Sequence, residues 1–269
     1  MASATHLTAA LLLVLPLGAC ATRLPTYPPM SDADALRAIA TRLDATRTLS
    51  ASTDVKLTDA RGQTITLDGA LAARPPHTAR LRAWKLGTPV LDLTILPDGV
   101  YAFAASREGA SEGASATSDA SNQNPQAKLT ALPAAGIAQS VELLSGTYFA
   151  NATPQPDRSD ASILVVSGTA LGNSQVLCSI DRRTLTPRRF TLPAGAKAME
   201  LRLSDYTLIN AVPFAQRIDF LSPDGGSIII HLHDIELNGD LPAAAFTPPA
   251  RATRLPDQPV HTSTSPASP

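Results

Sequence analysis

"RLRAWKLGTPVLDLTILPDGVYAF", residues 80–103, decides the fold. Leu81 and Ala83 alternate with Arg80, Arg82 and Trp84. A second run, from Pro89, turns back on itself at Pro97-Asp98-Gly99. Period-two alternation bounded by turn residues is the signature of half-buried strands. Turns this short force antiparallel neighbours. One apolar face per strand implies a sheet covered on one side only.

The same style extends outward in both directions. "STDVKLTDARGQTITLDGALAARPP" reads as two strands turning at Asp59–Gly62, with Ile65, Leu67 and Leu71 opposed to Thr64, Thr66 and Asp68. Downstream, strands are expected over 162–167, 174–181, 187–192, 197–206, 212–221 and 227–237. Met199, Leu201 and Leu203 share one face there, as do Phe214, Ile218 and Phe220. Only two segments carry helical spacing. Leu36, Ile39 and Leu43 follow the Ser31/Asp34 cap pair and predict a helix over 32–48. Ile137, Val141 and Leu144 predict a second over 134–145, ending near Gly146. Ten or eleven strands with two helices and no second core give one mainly β domain over 31–250: a single curved antiparallel sheet, covered by the helices. A β-sandwich without helix cover is the alternative. Residues 106–128, rich in Ser, Ala and Gly, read as a flexible insertion, and 251–269 as a disordered tail.

Composition narrows the function classes. The 269 residues carry 22 basic and 23 acidic side chains, a formal net charge of −1. That balance gives no electrostatic case for a nucleic-acid partner. Hydrophobic residues make up 44% but aromatics only 4%, so Ala, Leu, Val and Ile must build the core. There is no glycine-rich nucleotide loop, no His-Glu-x-x-His and no Gly-x-Ser-x-Gly, and we expect neither an enzyme nor a cofactor.

Residues 7–17, "LTAALLLVLPL", are too short to span a bilayer, which takes roughly 20 residues. They fit the apolar region of a signal peptide over 1–19, although "MASATH" lacks the usual basic residue. Leu17-Gly18-Ala19-Cys20 then resembles a bacterial lipobox. That resemblance implies cleavage before Cys20, acylation of its sulfur and membrane attachment through the acylated N-terminus. Ala21 in place of Asp implies an outer-membrane address facing the periplasm. Residues 21–30, with three prolines, read as an extended tether reaching roughly 30 Å. An acylated Cys20 leaves Cys178 without a disulfide partner, and Cys178 reads as a small buried hydrophobe.

Two stretches carry a further resemblance. Residues 80–103 are similar to the central hairpins of the lipoprotein-localisation family of LolA carriers and LolB acceptors. "IELNGDLPAAAFTPPARA", residues 235–252, resembles the C-terminal end of LolA-like proteins through Leu241, Pro242, Phe246, Pro248 and Pro249. The order of helices and strands also matches. The resemblance implies an unclosed half β-barrel lidded by helices, with an apolar concave cavity for acyl chains such as palmitate. It implies a monomer whose partners are acyl chains or lipidated proteins. Candidate lining residues are Leu91, Leu93, Ile95, Leu201, Leu203, Phe214, Ile218 and Phe220. The chain departs from the acceptors in showing no clear protruding hydrophobic loop.

Two polar constellations remain. His231 and His233, two apart on a strand, share a face and are weak metal candidates. Asp234 and Glu236 are expected to face the other way. The reading preferred over a metal site is two hydrogen-bonded or solvent-facing strand histidines. Arg182, Arg183, Arg188 and Arg189 surround a turn at Thr186-Pro187 and read either as a solvated hairpin end or as a phosphate-binding cluster. The competing function is a structural or protein-interaction lipoprotein with a fully packed core and no lipid cargo.

Overall fold

The computed structural model describes residues 23–104, 143, 145–170, 174–194 and 197–255. The signal segment 1–19 with Leu17, Gly18 and Ala19, the Cys20 site, the 106–128 insertion, most of the 134–145 helix and residues 256–269 lie outside the described residues.

Helix α1 covers Asp32–Asp44. The Ser31 hydroxyl accepts the Asp34 backbone N–H, Asp32 and Asp34 favour the N-terminus, and Arg42 favours the C-terminus. Ala35, Leu36, Ile39 and Ala40 form its buried face. The helix is shorter than the expected 32–48. Asn238 ends it from outside the segment: its side-chain amide donates to the Ala45 carbonyl at 3.1 Å and its Oδ1 accepts the Arg47 N–H at 2.7 Å. That captures an orphan helix carbonyl and steers the chain into the first strand. A five-residue helix, α2 (Gly146–Ala150), begins where the second helix was expected to end. Gly146 was read as a stop signal. It permits a close approach instead, because a Cβ there would strike Asp44 Oδ1 and the Ala40 carbonyl of α1.

The strands are β1 (Leu49–Thr58), β2 (Thr64–Arg74), β3 (Thr78–Lys85), β4 (Thr88–Leu96), β5 (Gly99–Ala104), β6 (Thr153–Pro154), β7 (Ile163–Ala170), β8 (Ser174–Asp181), β9 (Thr186–Ala194), β10 (Lys197–Ile209), β11 (Val212–Leu221), β12 (Ser227–Leu237) and β13 (Thr253–Arg254). They form one 13-stranded sheet in the order β13-β5-β4-β3-β2-β1-β12-β11-β10-β9-β8-β7-β6. The sheet is antiparallel and open: its edge strands, β13 and β6, do not pair with each other. Antiparallel neighbours send successive turns to alternate rims. The β8–β9, β10–β11, β2–β3 and β4–β5 turns share one rim. The β1–β2, β3–β4, β9–β10 and β11–β12 turns share the other. Helix α1 is held to the first rim: Asp32 pairs with Arg182 at 2.7 Å, and Arg42 donates to the Leu185 carbonyl at 2.5 Å.

Two boundaries differ from the sequence reading. The Pro-rich segment before α1 is docked in part, since the Tyr27 N–H donates to the Arg183 carbonyl at 2.8 Å and Met30 packs on the core. The tail expected from residue 251 starts with an ordered strand, because β13 pairs with β5 through Thr253 and Ala102.

Between β12 and β13 the chain crosses the convex face as a strap. The Thr48 hydroxyl donates to the Gly239 carbonyl, Arg74 to that of Leu241 and Arg80 to that of Ala245. Phe246, in the short 3-10 turn Ala243–Phe246, is buried, with the Arg74 guanidinium 5.1 Å from its ring centre. The "LPAAAF" motif is therefore a plug against β3 and β4. It covers Arg80, whose two contacts with Asp92 at 2.9 and 2.7 Å form a bidentate pair on a face expected to be solvated.

Candidate functional site

The concave face holds one apolar cluster. Ala51, Val55, Leu67, Leu81, Leu93, Leu164, Cys178, Phe190 and Ile230 come from the sheet, and Leu36 and Ile39 come from α1. Tyr148 and Phe149 of α2 meet Phe190 in a three-ring contact, with centroids 5.1–6.2 Å apart. Gly168 makes room for it, because a Cβ would lie 2.7 Å from the Tyr148 ring. The buried Tyr148 hydroxyl donates to the Val176 carbonyl at 3.0 Å, and burial pushes its pKa up. The Cys178 thiol is fully buried and likewise pushed well up by burial, which suits a packing residue and not a reactive thiol.

All eight candidate lining residues belong to this cluster or pack against it. Leu93 and Ile95 stand opposite Leu81 and Ala79, while Leu201 and Leu203 stand opposite Phe220 and Ile218. The six candidates among them, Leu93, Ile95, Leu201, Leu203, Ile218 and Phe220, are 1–5% exposed, so they pack against neighbours. Leu91 and Phe214 are half-buried. Phe214 does not share a continuous buried face with Ile218 and Phe220. The inward side changes along β11, from Pro213 and Ala215 to Ile218 and Phe220. The change coincides with Asp205 on the paired strand, which takes a left-handed φ of 53°.

Helix α1 covers the cluster at the first rim, and α2 starts there at the Gly146–Asp44 contact while its Tyr148 ring reaches Gly168 and Val176 further along β7 and β8. A cleft of about 320 Å³ opens at the first rim between Leu43, Arg47, Arg74, Pro75 and Thr147. The opposite rim carries a feature that sequence reasoning missed. Leu86, at the β3–β4 turn, is 93% exposed, so the chain does present an apolar tip. Its left-handed φ of 50°, followed by Gly87 at 79°, makes a tight turn that holds the side chain outward. The signal was the Leu86-Gly87 pair itself, between the two alternating runs.

The polar constellations resolve differently. His233 Nε2 lies 2.7 Å from Asp54 Oδ2 on the adjacent strand, and no set of three ligand-type side chains assembles among the described residues. Asp234 does not simply face away. It sits at a bulge with φ 48° and lines a groove of about 420 Å³ on the convex face with Ser50, Ser52 and Arg82. In the arginine cluster, Arg182 pairs with Asp32 and Arg188 with Asp181, whereas Arg189 approaches Glu200 only to 3.9 Å. No helix among the described residues is long and apolar enough to cross a membrane.

No family model and no curated protein matches the chain. Solved structures do. A LolA superfamily protein from Nitrosomonas europaea superposes at TM-score 0.53 and 14% identity, over 79% of this chain and 97% of that one. An outer membrane lipoprotein-sorting protein domain from Vibrio parahaemolyticus aligns at TM-score 0.48 and 14% identity, over 80% and 95%. A DUF1329 family protein from Desulfovibrio piger aligns at TM-score 0.47 and 12% identity, over 80% and 95%. The Nitrosomonas match runs almost the full length of its partner, and at that identity it speaks for architecture alone. With its open antiparallel sheet, helix-covered apolar face and C-terminal strap, this chain has a LolA/LolB-like fold.

Proposed function

We propose that the protein is a lipid-anchored cell-envelope protein that binds acyl chains or lipidated proteins on its concave face and catalyses no reaction. The observation that carries this reading is the apolar concave cluster, roofed by two short helices held by a handful of polar contacts. Acylation of Cys20 supplies the anchor, and Ala21 directs the chain to the outer membrane facing the periplasm. Burying twelve methylenes gains roughly 10 kcal/mol before the costs of ordering the chain and displacing the lid. Leu86 gives the protein the apolar tip that the resemblance to LolB-like acceptors calls for, and this favours a membrane-bound receiver over a shuttle. Native mass spectrometry of the protein purified from membranes tests the cavity. Bound lipid, with saturable uptake of a fluorescent fatty acid, is the expected result; no lipid and no uptake sinks it.

The tight packing of Leu93, Ile95, Leu201 and Phe220 favours a second reading, an interaction lipoprotein with a permanently filled core. A stable protein complex recovered without lipid supports that one.

A further inference from the structure

The segment ahead of α1 is tied to the body at a definite place. Tyr27 bonds to the Arg183 carbonyl in the β8–β9 turn, and its ring packs against the apolar cluster. Seven residue steps separate Cys20 from Tyr27, a reach of at most about 25 Å for a fully extended chain. Acyl chains on Cys20 therefore hold the β8–β9 rim close to the bilayer surface. The other rim, with Leu86, is a strand length further away, roughly 35 Å along the eleven-residue β12.

The tethered rim is also basic where its charge is free to act. Arg182 and Arg188 are committed to Asp32 and Asp181. Arg23 and Arg183 are exposed and have no carboxylate partner among the described residues. Arg189 is 51% exposed, with Glu200 only at 3.9 Å. The anchor supplies the affinity, so these arginines need only bias an orientation. Each basic side chain at an anionic surface contributes about fivefold, so Arg23 and Arg183 together favour the arginine-down orientation about 25-fold.

We infer that the β8–β9 rim is the membrane-facing end of the anchored protein, with Arg23 and Arg183 against anionic lipid headgroups and the α1 lid directed at the bilayer. The inference rests on acylation of Cys20. Its consequence is that the lidded mouth meets the leaflet that holds the anchor, while Leu86 is presented away from it. Acyl chains then exchange with the bilayer at one rim, and partners arriving from solution meet the other.

The test uses the full lipidated chain in vesicles of phosphatidylcholine with phosphatidylglycerol. One fluorophore is placed at Asp157→Cys, beside the β8–β9 rim, and another at Leu86→Cys; both sites are exposed, and Cys178 is buried. Headgroup-attached spin labels should quench the first several-fold more than the second. The Arg23→Glu/Arg183→Glu variant, which breaks no ion pair and should keep its melting temperature, should narrow that difference to under twofold. Equal quenching at the two positions, or stronger quenching at position 86, overturns the orientation. An unchanged difference in the charge-reversed variant overturns the role given to the arginines. Intact mass separates these failures from failure of the anchor: a chain carrying no lipid on Cys20 overturns the anchor reading and this one with it.

Discussion

Gly146 carries more of this fold than its size suggests. A methyl group there would overlap Asp44 Oδ1 and the Ala40 carbonyl, both on α1; the Asp44 side chain can rotate away, but the backbone carbonyl cannot yield without moving the helix. Gly146→Ala should therefore lose about 2 kcal/mol by urea denaturation, although alanine is the better helix former. An unchanged midpoint would show that α1 and α2 are not in register contact. Asp181 is a second residue with several tasks. Its Oδ1 accepts the Arg183 and Thr184 N–H groups and the Thr184 hydroxyl, and its Oδ2 meets Arg188. Partial burial alone would raise its pKa, but the Thr184 N–H and then the Arg188 contact hold it below the ordinary carboxylate value. A carboxyl lowered in the folded state adds stability that is present above its unfolded pKa, about 4, and is lost as the pH falls through the folded value. Stability should thus drop on acidification below pH ~4, and Asp181→Asn should flatten that part of the profile. Equal acid sensitivity in the two proteins would remove Asp181 from the account.

At the scale of elements, strands were legible because alternation and turn chemistry agreed. The observed limits of β8, β11 and β12 coincide with those expected from the pattern. Alternation reports only whether side chains differ in polarity, and it fails where backbone geometry or a remote segment intervenes. Arg80 looked solvated until the strap covered it, α1 was cut short by Asn238 from a distant turn, and the bulge at Asp234 re-aimed a carboxylate. In the candidate site, all eight lining residues belong to the apolar cluster or pack against it, but the buried side of β11 changes between Ala215 and Ile218, beside the left-handed Asp205, and no local composition announces that change. The β10–β11 turn shows the same limit. Asn210 and Ala211 both take left-handed φ values, 52° and 65°, as a type I′ hairpin requires. Alanine is a poor residue for that conformation and is exposed there, so nothing in packing opposes its replacement. Ala211→Gly should stabilise the protein by about 0.5–1 kcal/mol, seen as a higher thermal midpoint. A lower midpoint would mean that the turn is of another type.

For the whole molecule, the closed core and the proposed cargo compete for one volume. Leu93, Ile95, Leu201 and Phe220 are already in contact with protein, and packed interiors do not admit a chain of methylenes without moving something. The sheet is the costly part to move, since every inner strand is hydrogen-bonded on both sides. The lid is cheaper. Helix α1 is held to the rim by the Asp32–Arg182 pair, the Arg42–Leu185 hydrogen bond and four buried side chains, and α2 has only five residues. Cargo should therefore enter by displacing the helices while the sheet stays intact. Hydrogen exchange with and without bound fatty acid checks this. The α1 and α2 amides should lose protection on binding, whereas those of β1, β2, β10 and β12 should keep it. Arg182→Ala, by removing one tie, should speed fatty-acid uptake several-fold and lower the thermal midpoint slightly. Uniform extra protection across α1 and the sheet would place the acyl chain somewhere other than beneath the helices. The packed concave cluster would then be a structural core, and the exposed tip at Leu86 would be left as the working surface.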